Sequence, residues 1–353
     1  MKRFFFLIIV LAAAANAQVS SNEISTPVAP IAAIPYRGFT NAIPMQNEFL
    51  RAVIVPQIGR LMEIELLDSE SPLRADAMLD KGKSSDTNTW ANYGGSWVWL
   101  APQNLWPEHF GRGWPPPLFD SPSADWTASA WKRADGSSFC RLQMNVGAPM
   151  HVRVTREFLL PRKSAKLEIT QRIDRILESK VPVTIWNVAQ VGKADEVVLP
   201  LDPQSSLVQI STNPIPQSDV LACSNTVVIS VKNIDENKVG STSPRSWVAG
   251  RRGLLVLLVI AKPGDAKGSY PEGECRTEMY TSKGLGYTEL ETLSEQRLLS
   301  PGETLSNTVT MELFRAPAPI SGCAFAMWAQ QLVGEIPFPA DASGSNSPGP
   351  LKP

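Results

Sequence analysis

The 353-residue chain has only two histidines, His109 and His151, and they stand 42 positions apart. That spacing leaves no close imidazole pair of the kind that holds zinc. Cysteine is scarce as well. Cys140, Cys223, Cys275 and Cys323 are too far apart to make a metal motif, but they leave room for one or two disulfides whose pairing the spacing does not assign. Net charge is almost absent: 33 Lys and Arg face 34 Asp and Glu, giving a formal −1. Such a balance exerts no pull on nucleic acid or an anionic membrane. There is no Gly-rich phosphate loop before a helix and no Gly-x-Ser-x-Gly turn, so neither a nucleotide cofactor nor a serine nucleophile is expected. No cofactor and no metal are expected at all. The unbroken apolar run at residues 4–15 is too short for a bilayer, which needs about twenty residues.

That run does suit an export signal. Lys2 and Arg3 precede it, and Ala15-Asn16-Ala17 follows as a small-x-small cleavage site. Residues 1–17 therefore read as a signal peptide, and the mature protein is expected in the periplasm or outside the cell. Residues 18–35, rich in Ser, Ala and Pro, read as a flexible lead-in.

From residue 36 to 315 the pattern is strands and turns. "LRAVIVPQIGRLMEIEL" holds two apolar runs split by a bend at Pro56 to Gly59, and "MHVRVTREFLL" and "AKLEITQRIDRIL" alternate apolar with polar residues. "GLLVLLVIAK" is apolar throughout its centre, which suits a strand covered on both faces. "LSPGETLSNTVTMELFR" is a Pro-Gly turn feeding a long final strand. Helical periodicity is nearly missing, apart from one short helix expected within 316–337. Residues 338–353 lack the apolar content to pack and are expected to be disordered. Together these features predict an all-β fold, a large antiparallel sandwich.

Three stretches carry a resemblance. "GFTNAIPMQNEFLRAVIVPQIGRLMEI", "NYGGSWVWLAPQ" and "TEMYTSKGLGYTELETL", finished by "LSPGETLSNTVTMEL", resemble in order and kind the galactose-mutarotase-like superfamily. Within it "NYGGSWVWLAPQ", with the Trp- and Pro-rich segment that follows, is similar to a family of exported bacterial proteins related to aldose epimerases. The resemblance implies a β-supersandwich with a sugar-binding cleft on one concave sheet. It further implies a general base on a late strand, matched here by "GYTELETL" with Glu289 and Glu291. It also implies a histidine acid on a central strand. The matching stretch, "VTIWNVAQV", has Trp186, Asn187 and Gln190 there and no histidine.

The residues themselves point the same way but leave alternatives open. Seven of ten tryptophans fall between Trp90 and Trp131. Indole rings stack on the C–H faces of sugars, and they also fill cores. Trp97 and Trp99 share one strand face and read as core, while Trp90, Asn92, Trp106 and Trp114 sit in loop-like sequence as candidate sugar contacts. Gly94-Gly95 reads as a tight turn with positive φ. Glu289 and Glu291, two apart, share a strand face, with Glu278 expected on the neighbouring strand and Arg276 as a carboxylate partner. Asn187 and Gln190 are candidate hydroxyl binders. His109, in "WPEHFGRGW" beside Arg112, is the candidate acid; His151 reads as structural. Three functions remain open: an exported carbohydrate-binding protein, a sugar-active enzyme using Glu289 or Glu291 as base and His109 as acid, and a structural module without ligand.

Overall fold

The computed structural model describes residues 27–336, apart from 85, 87–89, 101, 118–124 and 266. The expected signal peptide and C-terminal tail lie outside the described residues. The rest folds into two large antiparallel sheets packed face to face. The eleven-stranded sheet is centred on Lys166–Arg175, Thr304–Arg315 and Leu255–Ala261, in that order. The ten-stranded sheet runs through Glu236–Ser241, Thr277–Ser282, Tyr287–Leu293, Trp186–Gly192, Gly95–Trp99 and Arg60–Leu66. Pro27–Pro30, inside the stretch expected to be a loose lead-in, pairs with Thr127–Arg133 as an edge strand.

Alternation explains the core. Phe158, Leu167, Ile169, Val259 and Met311 from one sheet meet Ile54, Ile64, Ala189, Met279 and Leu290 from the other. Each fully buried side chain of this size stabilises by roughly 1.5–3 kcal/mol. The expected bend at Pro56–Gly59 is present: Leu50–Val55 and Arg60–Leu66 pair across it, and Gly59 takes φ 64. Buried Arg156 reaches across the sandwich to donate to Gly59 O at 2.7 Å and Ser96 O at 3.1 Å.

The apolar strand Leu255–Ala261 is covered on both faces, as its composition requires. Leu257 and Val259 point into the sandwich. Val256 and Leu258 meet Phe325, Ala326 and Ala329 of the helix Gly322–Leu332, which lies against the outer face of that sheet. Cys223 and Cys323 form a disulfide that ties this helix to the edge strand Val220–Cys223. Cys140 and Cys275 are free and buried, and burial pushes the Cys140 thiol up to about 12. Among the described residues no helix is long and apolar enough to cross a membrane.

Candidate functional site

The face of the ten-stranded sheet turned away from the core carries the site. Pairing places Trp186 beside Trp99, Glu291 beside Val188, Glu289 beside Gln190, Tyr280 beside Glu289, and Lys238 beside Tyr280. Strand side chains alternate, so all of these project to the same side. Trp99, Trp186, Lys238, Tyr280, Glu289 and Glu291 line a cavity of about 460 Å³ together with Trp90, Asn92, Trp114, Gln103, Tyr287 and Glu236.

Its aromatic wall is a chain of edge-on and tilted ring contacts. Trp186 and Trp99 lie 4.8 Å apart between ring centroids, Trp99 and Trp90 6.0 Å, and Trp90 and Trp114 5.2 Å. Such pairs rigidify one another. Trp114 remains 53% exposed and forms the lip, so the cavity opens to solvent. Behind Trp99, Trp106 packs at 5.3 Å and is completely buried.

The turn that feeds this wall depends on glycine. Gly94 and Gly95 hold φ of 83 and 77. A Cβ on Gly94 would fall 2.0 Å from the carbonyl oxygen of Arg74. That close approach brings the 74–76 segment against the strand. There the Arg74 guanidinium donates to Gln190 Oε1 at 2.9 Å, and Gln190 Nε2 in turn donates to Glu289 Oε1 at 2.8 Å. The guanidinium thereby fixes which end of the amide faces Glu289.

The acids sit in contrasting surroundings. Burial, reinforced by neighbouring Glu291, pushes the Glu289 carboxyl up to about 8, against the opposing pull of Gln190, Lys238 and Arg60. Glu291 accepts from Trp186 Nε1 at 2.6 Å and lies 3.3 Å from Lys238 Nζ. Lys238 is also 2.7 Å from Glu278, 3.2 Å from Glu272, and 4.2 Å from the Trp186 ring centroid. Burial opposes its charge, but the three carboxylates outweigh burial and hold the ammonium well above its ordinary range. For Glu278, burial and the neighbouring carboxylates raise the carboxyl against the pull of Lys238.

Of the residues singled out in the sequence, Glu289, Glu291, Trp90, Trp114 and Asn92 converge on this cavity. Gln190 stands directly behind Glu289 as its hydrogen-bond donor. Glu278 is fully buried beneath Lys238. Asn187 faces the opposite way, into the sandwich, where its Oδ1 accepts from Gln171 at 3.2 Å. One residue from cavity-lining Trp186 along the strand, it had the wrong parity to share that face. Arg276 stacks over Tyr270 at 4.2 Å, outside the cavity lining, and Trp106 is core.

The structure corrects the placement of His109 and Arg112. Both line a separate cavity of about 370 Å³ with Pro117, Val146 and Pro149, His109 from the short helix Trp106–Phe110 and Arg112 from just beyond it. Arg112 donates to Pro116 O at 3.0 Å. Trp106 packs against Trp99 from the start of that helix, whereas His109 lines the other cavity. His151 occupies a tight turn at φ 51, its N–H donating to Gly147 O at 2.8 Å.

Sequence reasoning missed Arg74, Lys238, Glu236, Tyr280 and Tyr287 as parts of the site. Tyr280 was within reach, since it stands two residues from Glu278 on the same strand face. Lys238 and Arg74 gave no local signal, because strand pairing and the Gly94–Gly95 turn bring them in.

No protein-family model matches the chain, and no curated protein matches it. Solved structures do. A putative mutarotase from Salmonella typhimurium superposes with a TM-score of 0.56 at 9% identity, covering 81% of this chain and 97% of that one. A galactose mutarotase-like protein from Clostridium acetobutylicum also gives 0.56, at 10% identity over 81% of this chain and 99% of its own. A putative aldose 1-epimerase from Klebsiella pneumoniae gives 0.55 at 11% identity, over 90% and 87% of the two chains. At such identities the likeness speaks for architecture. The chain has the galactose-mutarotase-like fold, a two-sheet antiparallel β-supersandwich.

Proposed function

We propose that this chain is an exported carbohydrate-binding protein that holds a sugar in the cleft between Trp90, Trp114 and the Glu289–Glu291 strand. The observation that carries the reading is convergence. Trp90, Trp99, Trp114 and Trp186 meet three carboxyls, Asn92 and two tyrosines around one open cavity of about 460 Å³. That is the size and make-up of a small-ligand site: apolar rings for orientation with a few placed polar groups. Indole faces suit the axial C–H groups of a pyranose, while carboxylates and amides suit its hydroxyls. The fold's likeness to putative mutarotases and epimerases supports a sugar-related role. An open cleft speaks against a purely structural module. Export rests on residues 1–17, and amino-terminal sequencing of the exported chain is expected to begin at Gln18.

A titration of the mature protein with monosaccharides, followed by calorimetry, tests the reading. Saturable binding that weakens about tenfold or more in Trp114→Ala is expected; no binding of any monosaccharide or glycan would overturn it.

One observation favours a second reading, a sugar isomerase. A carboxyl held at about 8 is still protonated at neutral pH and can donate a proton where the superfamily would use histidine. Glu291, two residues along and about 6.8 Å away at the backbone, is placed to accept one. Anomer exchange followed by polarimetry, falling roughly 10²–10⁴-fold in Glu289→Gln, would establish this. Unchanged exchange in that variant would exclude it.

A further inference from the structure

A second cavity, about 540 Å³, adjoins the first. The two share Gln103 and Lys238 as common walls. Either cavity alone falls within the about 300–1,000 Å³ usual for a small ligand. The pair forms one elongated trough. Its second half differs in character: Asn104, Gln209 and Glu272 supply polar groups, while Val208 and Ile210 supply an apolar strip.

The wall of this second half is held in a costly conformation. Glu272, Gly273 and Glu274 take φ of 53, 79 and 70 in succession. Left-handed backbone at a residue other than glycine costs about 1–3 kcal/mol and persists where surrounding contacts impose it, often at binding sites. Here Glu274 accepts from the Tyr270 N–H at 2.9 Å and the Ser269 hydroxyl at 3.0 Å, and Glu272 is turned towards Lys238 at 3.2 Å. Across the trough, no hydrogen bond among the described residues engages the side-chain amides of Gln103 or Asn104. Both amides can therefore donate to and accept from a ligand.

Charge narrows the ligand. The ammonium of Lys238 is already matched by Glu272, Glu278 and Glu291, so it has no charge to spare for an acidic group. A carboxylate, sulfate or phosphate in the trough would meet Glu272 on one side and Glu236 on the other. Amides beside a lysine already outnumbered by its own carboxylates suit hydroxyls instead.

We propose that the trough takes a chain of at least two uncharged sugar residues, the first against Trp90 and Trp114 and the second between Asn104 and Glu272. The inference rests on the sugar-binding reading above and gives it a substrate class, neutral oligosaccharides. The test is calorimetry of the mature protein with neutral gluco- and galacto-oligosaccharides of one to four residues, alongside oligomers of uronic acids. Affinity is expected to rise at least tenfold from one residue to two in a matching series, with uronic acid oligomers weaker than neutral ones. In Asn104→Trp, which fills the second cavity from an exposed turn, the ratio between disaccharide and monosaccharide is expected to collapse towards one. In Trp114→Ala both affinities fall. Monosaccharide binding with no gain from a second residue would overturn the inference and leave the sugar reading standing. A gain that survives in a folded Asn104→Trp would overturn the placement, and uronic oligomers binding as tightly as neutral ones would overturn the ligand class. No saccharide of any length binding to the wild type would remove both readings together.

Discussion

Glu289 is where burial and chemistry meet most closely. Its carboxyl is raised to about 8 in the fold, against an ordinary 4.5. Folding therefore takes up a proton between those values. The favourable contribution of the protonated form is complete below about 4.5 and is lost as the pH rises towards 8. Glu289→Gln keeps the shape and the Gln190 contact while removing the titration. The variant should gain stability relative to wild type by more than about 1 kcal/mol between pH 5 and pH 8.5, read from urea midpoints. Parallel pH profiles for the two proteins would contradict the burial argument. At this scale the sequence was only half legible. The Glu-x-Glu spacing showed that two acids share a face, but alternation of Glu with Thr fits an exposed sheet equally well. Exposure is decided by Trp90 and Trp114, which arrive from a loop nearly two hundred positions earlier. The His109 expectation rested on closeness in sequence to the tryptophans, and in the fold His109 lines a different cavity from Trp90 and Trp114.

Among elements, the Gly94–Gly95 turn and the strand register do most of the positioning. Gly94→Ala would set a Cβ 2.0 Å from a backbone oxygen at φ 83. A loss of at least about 1–3 kcal/mol is expected, together with weakened sugar binding because Arg74 and Gln190 shift. A Gly94→Ala variant with wild-type stability and binding would show that the turn is not a support of the site. This turn, the Pro56–Gly59 bend and the Trp97–Trp99 strand were readable because each is signalled within a few residues. The adjacency of Lys238, Tyr280, Glu289 and Gln190 was not. It arises from pairing between four strands whose register is written in the packing of their opposite faces, Val239, Met279, Leu290 and Ala189. Asn187 illustrates the rule: a shift of one residue along a strand exchanges cleft for core.

Over the whole molecule, two sheets supply a rigid floor and one helix closes the outer face. The Cys223–Cys323 disulfide spans 100 positions and holds that helix. Replacing both cysteines by serine is expected to cost about 3–5 kcal/mol, seen as a lower denaturation midpoint, with the tryptophan-walled cavity intact because it lies on the other sheet. Equal midpoints in oxidised and serine forms would contradict the role assigned to the bridge. The sandwich itself was legible from alternation and turn chemistry, while the convergence of its loops was not. The central claim is that the tryptophan-walled cavity on the ten-stranded sheet is the sugar site. Its most direct test is tryptophan fluorescence of the mature protein during titration with neutral saccharides, in wild type and in Trp114→Ala. A saturable change in the wild type, reduced at least tenfold in apparent affinity in the variant, is the predicted result. Saturable binding of identical affinity in both proteins would place the sugar elsewhere and contradict the account.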